Sequence, residues 1–471
     1  MKLRLPFFQA VFCCFILAAF SYIQSAAQAP PLAPTQELVF RSVNVIPMDR
    51  EVVLKNQTVV VRNGLIHAIG DEGKVKWSKE AKEIDGKGKY LMPGLAEMHA
   101  HVPPSNDVEA MKEVLLLFAV NGITSIRGML GHPRHIELRE DIKRGVVIGP
   151  AFYTSGPSFN GNSAPTPDAA SQLVRQQKAA GYDFLKIHPG IKLDAFKAMA
   201  ATAKELNIPF AGHVPSDVGI WNAIELGILT IDHLDGFVEA LIPGKERFNE
   251  GSHGLFATNI FEEANTIHLN KLIATLKKNK IWVVPTQALA VRWLSPVQNA
   301  AQRAAEPEMK YMSPKTVAGW IQTKHNMEAG AGYKKDAMPG YIKLRNQLIK
   351  ACQNAGVPLL LGSDAPQVFN VPGFSTHHEL RYLVDAGLSP YQALYSGTVA
   401  VGKFYGKQYM GTIQKGAPAD LILLQANPLE EIDRIKRIEG VLLNGKWLDK
   451  AWRESVLSGI AEKKRNEQAL P

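Results

Sequence analysis

Cysteine is scarce in this chain of 471 residues. Of three, Cys13 and Cys14 sit side by side in an apolar leader, and only Cys352 lies beyond it. Once the leader is gone no intramolecular disulfide can form, so a chain this long must be held by its core. Acidic residues are missing from the leader as well. "MKLRLPFFQAVFCCFILAAFSYIQSAAQAPP" has Lys2 and Arg4, an apolar run from Leu5 to Ile23, then Ser25, Ala26, Ala27 and Ala29. This pattern predicts a secretory signal peptide over 1–29, cut near Ala27 or Ala29, and a secreted or periplasmic protein with no stable membrane association after cleavage. The alternative is an uncleaved anchor. Losing Lys2 and Arg4 takes the formal charge from +9 to +7. No arginine-rich stripe with interleaved aromatics is found. The dispersed basic residues therefore point to solubility or mild attraction for anions, and nucleic acid is not an expected partner.

What the sequence does have is regular alternation. "LVFRSVNVIPM", "VVLKNQTVVVRNGLIHAIG" and "EIDGKGKYLMPG" read as short strands broken at turn pairs such as Asn63-Gly64 and Asp85-Gly86. Similar runs return in "GTIQKGAPADLILLQANP" and "IEGVLLNGKWL". Two β-rich ends around one long middle predict a small composite β-sandwich domain built from 37–92 and 402–455. Across 93–401, strand-like runs alternate with helix-like ones. After the run bearing His99 come "GITSIRG", "AFYTSG", "DFLKIHPG", "PFAGHVP", "LTIDHLDG", "IWVVPTQ" and "PLLLGSDAP". Eight parallel βα units predict an α/β fold, a (β/α)8 TIM barrel with its active site at the carboxyl ends of the strands. Two stretches, 237–265 and 289–341, exceed a minimal barrel. They are expected either over the site as a lid or packed on the barrel's outside.

In "LMPGLAEMHAH", His99 and His101 are one residue apart on a strand, so both rings face one side and can share a metal ion. Taken alone, such a pair also reads as two partly buried polar residues. The polar ends of later strands add Lys186, His213, His233 and Asp364. Polar residues inside apolar strands are costly unless paired. A lysine among histidines makes chemical sense if its amine carries a carboxylate, from carbon dioxide, that bridges two ions. Imidazole and carboxylate oxygen suit Zn²⁺ or a similar divalent ion.

On these residues the chain resembles the amidohydrolase superfamily, in particular its imidazolonepropionase-like branch with binuclear Xaa-Pro dipeptidases. "PGLAEMHAH" resembles Pro-Gly-Leu-x-Asp-x-His-x-His, "GYDFLKI" resembles the segment with the carboxylated lysine, His213 and His233 match two single histidines, and "GSDA" resembles Gly-Thr-Asp-Ala. Glu97 stands where the family usually has Asp. "GHVPSDVG" and "IRGMLGHP" depart from the usual loops, which leaves the substrate open. The resemblance implies two divalent ions and N6-carboxylated Lys186 bridging them. His99, His101 and Asp364 would hold the more buried ion, and His213 and His233 the other. A bridging hydroxide would attack the scissile carbonyl, with Asp364 as the catalytic proton shuttle.

Three further residues are candidate substrate contacts. Arg127 ends the second barrel strand and could grip a substrate carboxylate through its planar fork, an internal salt bridge being the alternative. His132 and His188 lie in loops near strand ends. The expected activity is hydrolysis of an amide bond in a small carboxylate-bearing molecule, a dipeptide or N-acyl amino acid. Alternatives on the same fold are a cyclic-amide hydrolase, a mononuclear deaminase, a lactone or phosphotriester hydrolase, or a binding protein without catalysis. Lys186 argues against a mononuclear site, and the complete ligand set argues against loss of catalysis. A homo-oligomer is compatible with all of them.

Overall fold

The turn pairs and alternating runs at the two ends of the chain join in a single sheet. The computed structural model describes residues 37–244 and 252–468, and the predicted signal over 1–29 lies outside them. The described residues form one compact unit. Near the amino terminus are β1 (Leu38–Val45), β2 (Leu54–Arg62), β3 (Leu65–Asp71), β4 (Lys82–Asp85) and β5 (Tyr90–Pro93). The order in the sheet is β15-β14-β13-β5-β1-β2-β3, with β4 beside β1. Its last members are β13 (Leu421–Leu424), β14 (Ile438–Leu443) and β15 (Lys446–Asp449). β5 is the joint, parallel to β1 on one side and antiparallel to β13 on the other. The sequence predicts a sandwich. The structure has one mixed eight-stranded sheet, with Leu65 at its far edge bridging back to Pro418. Phe40, Val43, Val45, Val59, Val61, Leu421 and Leu423 pack into its own small core.

Gly94 alone separates β5 from β6 (Leu95–Ala100), the first strand of the middle region. β6, β7 (Ile123–Gly128) and β8 (Ala151–Thr154) form one parallel sheet. β9 (Leu185–Ile187), β10 (Phe210–Gly212), β11 (Thr230–Asp232) and β12 (Trp282–Val284) form a second. Helices connect them, giving a TIM-barrel-like α/β fold beside a β-rich domain. Local sequence sets these helices. In Pro167–Ala180 the Thr166 side chain accepts the Ala169 N–H, Pro167 opens the first turn, and Gly181 ends it at φ 84°.

The last predicted strand, "PLLLGSDAP", is irregular. Leu359 bridges to Val283 and Ala365 to Ala100. Between these bridges the Met98 N–H donates to Leu361 O at 2.8 Å, and Asp364 adopts φ 64°. A left-handed residue interrupts a regular ladder, so the segment is extended without being a continuous strand.

The second long insertion does not place all of its aromatics over the strand ends. Tyr311 and Trp320 pack with Leu117, Met309, Val368, Phe369 and Ile460 in a satellite core. Ile460 belongs to the helix Lys450–Gln468, which begins within the predicted second β-segment, 402–455, and runs past its end. The apolar face of that helix covers these rings.

Candidate metal centre

The strand ends bring the predicted donors together. His99 lies on β6 and His101 just beyond it, Lys186 lies on β9, and His213 and His233 follow β10 and β11. Donor atoms of His99, His233 and Asp364 all lie within 4.8 Å of one another. His101 Nε2 is 3.2 Å from Asp364 Oδ1, and Lys186 Nζ is 3.4 Å from His99 Nε2. His213 stacks on His233 with ring centroids 4.4 Å apart. Two glycines permit this crowding. A Cβ on Gly362 would fall 2.6 Å from Val284 Cγ1 and 2.9 Å from the His99 nitrogen. One on Gly212 would fall 2.9 Å from Lys186 Cδ.

The site fits a metal on an independent ground. His101 Nε2, His233 Nε2 and Asp364 Oδ1 are buried and have no hydrogen-bond partner. Buried polar atoms left unpaired are expensive, and all three belong to side chains of this cluster, so the donor set fits a cation. Burial, reinforced by neighbouring charge, holds His99, His213 and His233 well below the usual imidazole range and brings His101 down to about 3. Their lone pairs are thereby free for a metal. Burial also lowers the Lys186 ammonium to about 8, which favours the neutral, nucleophilic amine, and lifts the Asp364 carboxyl to about 7.

Carboxylates and hydroxyls behind the ligands set their orientation. His99 Nδ1 donates to Asp232 Oδ2 at 2.7 Å, leaving Nε2 toward the cluster, and His213 Nδ1 donates to Asp235 Oδ2 at 2.6 Å. His233 Nδ1 pairs with Thr286 Oγ1 at 2.8 Å. Asp232, Asp235 and Thr286 were not singled out from sequence, although both acids flank His233 in "TIDHLDG". Glu97 is no ligand. It accepts from the His99 and Ser363 N–H groups and from the Ser363 and Thr376 hydroxyls, tying β6 to the segment bearing Asp364.

Of the two readings of Arg127, its contacts are those of the internal salt bridge. The guanidinium is buried and turned inward. Nε donates to Met98 O at 2.7 Å, Nη1 to Thr230 Oγ1 at 3.2 Å, and Nη2 to both Asp232 oxygens at 3.2 and 3.3 Å. Phe184 and Phe404 flank it. An uncompensated Asp232 inside the strands would be costly, and Arg127 neutralises it. His132 sits at the start of the helix Arg134–Lys143, where its Nδ1 accepts the Arg134 N–H and its ring lies beside His135. His188 is half-buried and stacked on His213, with centroids 5.1 Å apart, so it borders the cluster.

Comparison with known proteins agrees with this fold. The model described as the amidohydrolase family matches residues 90–448. Ochratoxinase of Aspergillus niger is 23% identical over 417 residues, covering 82% of this chain and 81% of that protein. Among solved structures, a bottromycin amidohydrolase superposes with TM-score 0.69 at 19% identity, over 91% of this chain and 90% of the other. A Xaa-Pro dipeptidase with bound methionine in its active site gives TM-score 0.61 at 18% identity, over 88% and 100%.

Proposed function

The chain belongs to the amidohydrolase family, and from that premise we propose that it hydrolyses an amide bond in a small carboxylate-bearing molecule, a dipeptide or N-acyl amino acid, at a centre of two divalent ions. The observation that carries this reading is the convergence of His99, His101, Lys186, His213, His233 and Asp364, with buried donor atoms otherwise unpaired. In this reading the segment 359–365 is the eighth strand of a (β/α)8 barrel, supported by its bridges to β12 and β6.

His99, His101 and Asp364 would hold the deeper ion, His213 and His233 the other, and carboxylated Lys186 both. Zn²⁺ suits this donor set. When bound, the ions supply a water acidified toward neutrality and a polarised carbonyl. The protein does the rest. Asp364 accepts the proton of the attacking water and passes it to the leaving nitrogen. Asp232 and Asp235 keep the His99 and His213 imidazoles in the tautomer that turns Nε2 to the ions. His188, at the border of the cluster, takes the substrate carboxylate.

The test is a screen of purified, metal-loaded protein against dipeptides and N-acyl amino acids, with lactones and phosphotriesters as a second panel. Turnover in the first panel, lost on metal removal and regained on reloading, is expected. Turnover confined to the second panel would replace the proposed substrate class.

A further inference from the structure

Four rings stand in series at the metal centre. His188 stacks on His213 (5.1 Å, 22°), His213 on His233 (4.4 Å, 28°), and His233 on Phe256 (5.4 Å, 23°). We propose that Phe256, the one apolar ring of this series, is a specificity-determining residue, against which a nonpolar side group flanking the scissile amide packs. The inference rests on the amide-hydrolase reading above.

The backbone holds Phe256 there at a cost. Its φ and ψ are 54° and 34°, and Ala257 follows at φ 62°. A bulky aromatic rarely adopts the left-handed region, and such strain gathers where a side chain must be aimed. Three residues of the cluster and its support, His233, Thr286 and Asp364, are left-handed as well. Two buried residues fix Phe256. The Tyr341 hydroxyl donates to the Phe256 carbonyl at 2.7 Å. Arg345 lies 6.0 Å from the Phe256 ring centroid and donates to the His233 carbonyl at 2.8 Å. One guanidinium thus ties the ring to the histidine it stacks on. The Phe256 residue itself remains partly exposed.

The stack has unlike ends. His188 offers ring nitrogens to a polar group, while Phe256 has no hydrogen bond to give and rewards only apolar or aromatic surface. A substrate lying along the stack is therefore oriented with its carboxylate toward His188 and its nonpolar group toward Phe256.

The test compares wild-type holoenzyme with Phe256→Ala and Phe256→Leu. Binding is read by calorimetry with benzoate against acetate and phenylalanine against glycine, the product acids of matched amides. Turnover is read with the amides themselves, N-benzoyl and N-acetyl derivatives of both amino acids. Phe256→Ala is expected to weaken benzoate or phenylalanine at least tenfold and the small acids less than threefold. It should raise KM for the bulky amide while kcat stays within about threefold, and Phe256→Leu should recover most of the loss. Equal weakening of all four acids, or none, overturns the proposal. If the size-dependent difference persists but wild type turns over no amide, the reaction proposed above falls and the apolar contact stands. If amides are turned over with no dependence on size, the contact falls and the reaction stands.

Discussion

His99 Nδ1 lies 2.7 Å from Asp232 Oδ2, and both side chains are sealed from solvent. The same carboxylate faces Arg127 Nη2 at 3.2 Å. A residue 105 positions before Asp232 in sequence thus neutralises the group that orients a metal donor. Arg127→Met should leave Asp232 as a buried, uncompensated charge, costing about 3–5 kcal/mol of stability. Asp232→Asn should cost roughly 10–100-fold in metal affinity. Losses in kcat/KM should be equal for substrates with free and amidated carboxylates, because both side chains are buried and turned toward each other. Metal titration and thermal melting check this; a loss confined to free-carboxylate substrates would restore Arg127 as a clamp.

Lys186→Ala removes the amine that would carry the bridge. Elemental analysis should then find at most one ion, against the two proposed for wild type. Added short carboxylic acids should partly restore both metal content and activity. A variant with two ions and full activity would show that no lysine carboxylate is needed.

Asp364→Asn keeps the shape of a side chain whose Oδ1 lies 3.2 Å from His101 Nε2. It removes the proposed proton acceptor. We expect kcat to fall by at least about 10² while part of the metal is retained. Unchanged kcat with a raised KM would make Asp364 a substrate contact instead.

Cys352 is fully buried in the helix Met338–Ala355, and burial pushes its thiol up to about 12. Thiolate is the reactive form, so at pH 8 the native protein should not react with a thiol reagent. Denaturation should release the single thiol left in a chain lacking residues 1–29. Rapid labelling of the folded protein would show that the helix opens.

Residues 1–29 predict export. Cell fractionation should place a protein starting between Ala27 and Pro30 in the periplasm or medium. An intact amino terminus in the membrane fraction would identify an anchor.

The strand ends were legible because a polar residue at the end of an apolar run stands out in one dimension. That is how His99, Lys186, His213, His233 and Asp364 surfaced together. Asp232 and Asp235 were not legible. Each reads as a polar residue at a strand end or turn, and what distinguishes Asp232 is a partner 133 positions away. Arg127 shows the same limit. Its position on β7 could be inferred, but its direction could not, because a carboxylate across the strands decides it. Trp320 and Tyr311 were ambiguous for a related reason, since Ile460, which packs against them, lies beyond the segments read as β.

β5 and β13 are partners in one sheet, yet more than three hundred residues separate Pro93 from Leu421. Ribosomes add about 5–20 residues per second, so β5 waits roughly 16–65 s for β13 to be made. Throughout that interval its edge is unpaired and open to any other strand. β6, one glycine further on, begins the metal-bearing half of the molecule from an anchor that is still incomplete. A product that terminates before Leu421 is therefore not a smaller enzyme. It is a chain with an exposed strand edge, and its expected fate is aggregation or proteolysis.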